Sequence, residues 1–134
     1  MSDALEKLLV LLQNNLRIIG VLAIVICIVT WGIDLAGLVH ECVYCRTQRT
    51  AIGVAGILML FPDPRVWWLR LGMAAVCFLG AHVAAAQLFL VIKNINAGRN
   101  FGELNLILAT GALFTLIGMA LLVFMPKPEN EDRK

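Results

Sequence analysis

The chain has 134 residues, of which 60% are hydrophobic and 15% charged, with a net charge of +2 and a mean hydropathy of +0.87. A soluble domain carries about 25% charged residues, so this composition points to a small polytopic membrane protein. The small net charge, with no Lys/Arg-rich run and no interleaved aromatic patch, excludes a nucleic-acid partner.

Asp3, Glu6 and Lys7 precede the first apolar run, and Trp31, Asp34 and a cysteine motif follow it. That order lacks the small-residue cleavage site of a signal peptide, so the run is expected to stay as a helix. Ala4 to Leu12 puts Leu5, Leu8, Leu9 and Leu12 on one helical face. This short amphipathic segment suits a helix lying on the membrane, or a simple cytoplasmic extension of the first span.

A helix needs roughly 20 residues to cross about 30 Å of hydrocarbon. The first span is expected over 16–39, with Asp34 near its end at the interface or facing the bundle. Thr50 to Phe61 is too short to cross alone, but a helix begun at Cys42 gives a second span over 42–61. Phe61-Pro62-Asp63-Pro64 ends it, because proline cannot continue a helix. The third span covers 67–92, opening on the interfacial anchors Trp67 and Trp68, and the fourth covers 104–125. A charged tail, 126–134, closes what reads as one domain over 1–134.

The expected architecture is therefore an all-α membrane protein, a four-transmembrane-helix bundle. Gly53, Ala55 and Gly56 in the second span, and Gly72, Gly80 and Ala84 in the third, allow close helix contacts. With the N-terminus inside, the inner side carries Lys7, Arg17, Arg65, Arg70, Lys127, Arg133 and Lys134, against Arg46, Arg49, Lys93 and Arg99 outside. The positive-inside bias then makes both termini cytoplasmic and puts the cysteine motif at the external face, where disulfides persist.

That motif is Cys42-Val43-Tyr44-Cys45, a CxxC that can close a small disulfide and reopen it. Such spacing, and a position at a helix N-terminus, favour the thiolate that acts in thiol–disulfide exchange. On a helix, Cys42, Cys45, Arg46 and Arg49 fall within one stripe about 100° wide. Arg49 is then an i, i+4 neighbour of Cys45, placed to stabilise a thiolate or an anionic electron acceptor. His40 and Glu41 read as solvated loop positions beside the pair. A structural zinc site needs four ligands and one CxxC supplies two, so no metal is expected. Cys27 and Cys77 fall at similar depth in their spans, where they read as buried apolar fillers or, less readily, as a second pair facing each other. Asp34 and Glu103 read as single interfacial carboxylates.

A first span, a CxxC at the external start of the second, an arginine four residues after the second cysteine and four helices in all resemble the disulfide-bond formation protein B (DsbB) family. The specific part of the resemblance is Cys42-Val-Tyr-Cys45-Arg-Thr-Gln-Arg49. It implies a bacterial inner-membrane oxidoreductase that passes electrons from a periplasmic DsbA-like thiol oxidase, or another thiol protein, to a membrane quinone, ubiquinone or menaquinone. Cys42 and Cys45 would be the quinone-coupled pair, with Arg49 beside the quinone ring and Arg46 next to it. In the third span the family often carries a histidine seven residues after a glycine. Counted from Gly80 that position is Gln87, which can still hydrogen-bond a quinone oxygen. His82 lies on the same span, as a second quinone candidate or as a bundle histidine bonded to a neighbouring helix.

The family's long second external loop, with its own cysteine pair, is replaced by Lys93 to Glu103, which has no cysteine. The chain is thus a short variant of the pattern. Either a partner reacts directly with Cys42 or Cys45, or another protein supplies the missing pair, or the oxidase function is lost. The alternative function is a non-catalytic structural or assembly subunit of a larger membrane complex, with the CxxC as a local staple.

Overall fold

The computed structural model describes residues 3–39, 42–99 and 103–126. Among them are five helices and no strand: α1 (Asp3–Asn14), α2 (Leu16–Leu35), α3 (Val43–Met59), α4 (Trp67–Asn96) and α5 (Glu103–Phe124). His40, Glu41 and residues 127–134 of the expected tail lie outside the described residues.

The helix ends follow from local chemistry. The chain breaks at Asn15, whose side-chain amide donates to the Leu11 carbonyl at 2.7 Å. α2 and α4 each end on a glycine in the left-handed region, Gly37 at φ 72° and Gly98 at φ 71°. In both, the glycine and the next residue donate back into the last turn: Gly37 to Asp34 and Leu38 to Ile33, Gly98 to Ile95 and Arg99 to Asn94. These are Schellman ends, which glycine reaches without the Cβ clash another residue meets. α3 stops just before the Pro62–Pro64 turn, where the Asp63 carboxylate accepts the Arg65 backbone N–H at 3.1 Å.

Three helices, α2, α4 and α5, are long and apolar enough to cross a membrane. α3 has 17 residues and carries Arg46 and Arg49. Its length is about 25 Å, short of the ~30 Å hydrocarbon layer. It is shorter than the expected 42–61 because Cys42 is its cap and Leu60 already turns out of it. α4 runs beyond the expected Ile92 to Asn96, since nothing before Gly98 breaks it.

α2 packs on α3 and α4 on α5, and α3 against α4 joins the pairs; α1 touches only α2 and α5 more than marginally. The α2–α3 pair is antiparallel, with its closest approach at Gly20 and Gly56. A Cβ on either glycine would lie 2.7 Å from the other's carbonyl oxygen. One turn along, Gly53 accepts the Cys27 side chain, and on α4 Gly80 is covered by Ala51 and Leu116. Within lipid no hydrophobic force separates helix from solvent, so cohesion comes from this backbone-close dispersion contact. Cys27 and Cys77 have different neighbours: Cys77 is buried with its sulfur 3.5 Å from that of Met73.

Met59, Met73, Val91, Leu116 and Val123 are the largest fully buried side chains. Larger apolar groups such as Ile28, Phe78, Phe89 and Phe114 point outward. Small residues inside and bulky apolar ones outside are the arrangement of a helix bundle in contact with lipid.

Gly56→Val should therefore lower thermal stability in detergent by about 1–3 kcal/mol, because its side chain meets backbone. Gly118→Ala, where nothing lies within 4 Å of the added carbon, should be neutral or raise stability by up to about 1 kcal/mol. Thermal unfolding of both variants checks the pair.

Candidate functional site

Among the described residues only three polar or charged side chains are buried, Asp34, Gln48 and Gln87. All three reach the same end of the bundle, where α3 begins. α2 delivers Asp34 in its last turn, α3 delivers Gln48 in its second, and α4 delivers Gln87 on the face shared with Met73, Cys77, Gly80, Ala84 and Val91.

Cys42 is the N-cap of α3 and Cys45 lies in its first turn; both are half-buried free thiols. The Gln48 amide donates to the Gln87 side-chain oxygen at 2.7 Å, and the Gln87 amide donates to the Cys45 sulfur at 3.6 Å. Two donors thus run in series from the protein interior to one sulfur. A thiolate accepts such a bond more strongly than a thiol, because hydrogen bonds to charged groups are the stronger ones. Gln87 is the group that offsets part of the cost of a thiolate at a half-buried position.

The arginines are used differently from the sequence expectation. Arg46 holds Asp34 through Nε to Oδ2 at 2.7 Å and Nη2 to Oδ1 at 3.3 Å, and its guanidinium stands 5.9 Å over the Trp31 ring. Arg49 donates to the Thr30 carbonyl at 3.0 Å and lies 3.4 Å from Asp34 Oδ2. The expected stripe of Cys42, Cys45, Arg46 and Arg49 therefore exists, but its cationic part turns onto α2. Arg49 reaches across to the α2 backbone instead of lying below the Cys45 sulfur. Of the two places expected for Asp34, the interface or the bundle side, it takes the second and is buried between two cations, because a lone carboxylate in an apolar helix needs partners of opposite charge. Glu103 is exposed at the start of α5.

His82 is not part of this cluster. It is exposed and stacks on the Phe78 ring at 6.3 Å between centroids. Five residues separate it from Gln87, which is about 140° around the helix. No group of three or more potential metal ligands is assembled among the described residues.

Beside the cluster, a groove of about 320 Å3 opens between α3 and α4, lined by Arg46, Thr47, Thr50, Ala51, Val54, Val76 and Leu79. The lining is almost entirely apolar, with Arg46 at one end, which suits the apolar body of an amphiphile. Its α3 residues Thr47, Thr50, Ala51 and Val54 project between about 140° and 240° around the helix from Cys45. The groove thus approaches the cysteine pair from the side of Arg46 and its i, i+4 neighbour Cys42, and Cys45 faces the other way toward Gln87.

Sequence reasoning named Cys42, Cys45, Arg46, Arg49 and Gln87, and these lie at one end of the bundle. It missed Gln48 and the use of Asp34. The signal for Asp34 was its isolation in an apolar helix twelve residues before Arg46. For Gln48 it was the i, i+3 offset from Cys45 along the buried face of α3.

Asp34→Asn should lower the melting temperature, since it leaves both guanidiniums without their shared counter-charge. The double variant Asp34→Asn/Arg46→Gln should lose less than the sum of the two single changes, a coupling that a double-mutant cycle of thermal unfolding reads directly. The geometry carries the functional reading alone: no protein-family model matches the chain, and no curated protein or solved structure is detectably similar to it.

Proposed function

We propose that the chain is a membrane thiol–quinone oxidoreductase of the DsbB type, in a bacterial inner membrane. In this reading α3 is a short fourth crossing, both termini are cytoplasmic, and Cys42 and Cys45 face the periplasm. The observation that supports it best is the convergence of every buried polar side chain among the described residues on the end of the bundle that carries the cysteines, with Gln87 bonded to one sulfur.

The pair cycles between a dithiol and a Cys42–Cys45 disulfide. In the oxidised form, a thiolate of a dithiol partner attacks the Cys42–Cys45 disulfide and forms a mixed disulfide. The partner's second thiol displaces it, leaving the partner oxidised and Cys42 and Cys45 as thiols. As the disulfide closes again, two electrons and two protons leave the pair, and a quinone held in the groove would be their acceptor. Arg46 would meet the polar head, and Ala51, Val54, Val76 and Leu79 the apolar flank, with Thr47 and Thr50, whose hydroxyls donate to the Val43 and Arg46 carbonyls, lining the space between. Gln87 holds the Cys45 sulfur in place and stabilises negative charge on it. Arg49 acts from a distance, by fixing α3 against α2. The connection between α4 and α5 carries no cysteine, so the partner reacts directly at the α3 cap.

One observation favours the second reading, a structural subunit of a larger membrane complex. Both arginines of the motif are engaged in joining α3 to α2, a structural task. Purification from native membrane separates the two readings. A stoichiometric complex without quinone supports assembly, and a CxxC that cycles between redox states supports catalysis.

Cys42→Ala and Cys45→Ala should each reduce quinone reduction by a reduced thiol partner to the uncatalysed rate in proteoliposomes. Gln87→Leu, which keeps both thiols, should slow it about fivefold, the worth of one hydrogen bond of ~1 kcal/mol. Normal turnover in both cysteine variants would overturn the reading.

A further inference from the structure

The end of the bundle remote from the cysteines holds two arginines that the proposed chemistry does not use. Arg65 closes the Pro62–Pro64 turn and Arg70 ends the first turn of α4. Arg65 Nε and Nη2 and Arg70 Nε are withdrawn from solvent and have no hydrogen-bond partner. Each side chain as a whole is only partly buried. The Arg70 guanidinium lies 5.9 Å over the Phe124 ring. The nearby Asp63 carboxylate accepts the Arg65 backbone N–H and makes no ion pair with either guanidinium. Guanidinium N–H groups withheld from water without an acceptor are costly, and the terminal nitrogens that are not so withheld, Arg65 Nη1 and both Nη of Arg70, match the oxygens of a phosphate.

Three further features agree on where such a phosphate would come from. Trp67 and Trp68 stand exposed between the two arginines, which sets this level at the depth of lipid headgroups. The Phe61 ring packs edge-on against Trp68 at 6.3 Å and fixes the turn beside it. Val66, the N-cap of α4, makes no side-chain cap, so the first amides of α4 and the positive end of a long helix dipole lack a side-chain acceptor.

We propose that Arg65 and Arg70, with the uncapped start of α4, bind the phosphate of an anionic phospholipid at this end of the bundle. The site orients the protein and clamps the start of α4 to the end of α5 through Arg70 on Phe124. It stands apart from the cysteine chemistry and holds whether or not the chain is a redox enzyme.

The test uses the full chain in nanodiscs of phosphatidylcholine with and without phosphatidylglycerol. It is read by native mass spectrometry of retained lipid and by thermal unfolding. Wild type should retain phosphatidylglycerol over phosphatidylcholine and melt higher in its presence. Arg65→Gln/Arg70→Gln should lose that preference, by roughly fivefold for each arginine. Lys93→Gln/Arg99→Gln, at the opposite end, should keep it. Equal retention of the two lipids by wild type overturns the proposal without recourse to a variant. Equal stabilisation by inorganic phosphate at matched concentration overturns the lipid assignment. Destabilisation of the Arg65/Arg70 variant that is the same in neutral and anionic bilayers overturns it too, since it would assign the guanidiniums to the chain's own carboxylates at Glu129, Glu131 or Asp132.

Discussion

The contact of Asp34 with Arg46 and Arg49 is the constraint on which the rest of this structure depends. A carboxylate in the last turn of an apolar helix and two guanidiniums in the first turns of the next are each costly in a bilayer. Together they form one compact cluster with the Thr30 carbonyl and the Trp31 ring. Leaving any one of them alone is far worse than keeping the set, because the remaining charge then lacks its partner. The cluster fixes the register of α3 on α2, and that register brings Gly56 to Gly20 and Gly53 to Cys27 farther down the pair.

The register in turn decides what surrounds the cysteines. Once Arg46 and Arg49 turn to α2, the sector of α3 that holds Cys45 and Gln48 is free to face α4. There it meets Gln87, a neutral side chain with both a donor and an acceptor, which can link two groups without bringing another charge into the bundle. The cation stays one helix face away from the sulfur. Electrostatic support for a thiolate at Cys45 therefore comes from an amide in contact and from arginines at longer range. The DsbB pattern, by contrast, implies an arginine in contact with the electron acceptor.

The bundle is also polarised along its length. Buried amides and ions lie at the end where α3 begins, small residues carry the middle crossings, and Met59, Met73 and Val123 fill the other end. The buried side chains of the first end can donate and accept hydrogen bonds; those of the other end only pack. The two arginines at that apolar end, Arg65 and Arg70, sit outside the core at the level of the tryptophans, where an anionic surface is the natural counter-charge.

The sequence by itself determined the class, the helices and the motif. Long apolar runs can only be helices in a bilayer, the two prolines had to end α3, and two cysteines three apart had to share the start of a helix. It also placed Cys42, Cys45, Arg46 and Arg49 on one stripe, because helical periodicity is local. Only the tertiary structure decided which neighbour that stripe meets. Periodicity gives the angle of a side chain on its own helix and says nothing of which helix stands opposite. Hence Asp34 and Gln48 were not legible as site residues, and Arg49 was assigned to Cys45 instead of to Thr30 and Asp34. For the same reason His82, five residues from Gln87 in the chain, stands on the outer face of α4, and Gln87, not His82, reaches the cysteine.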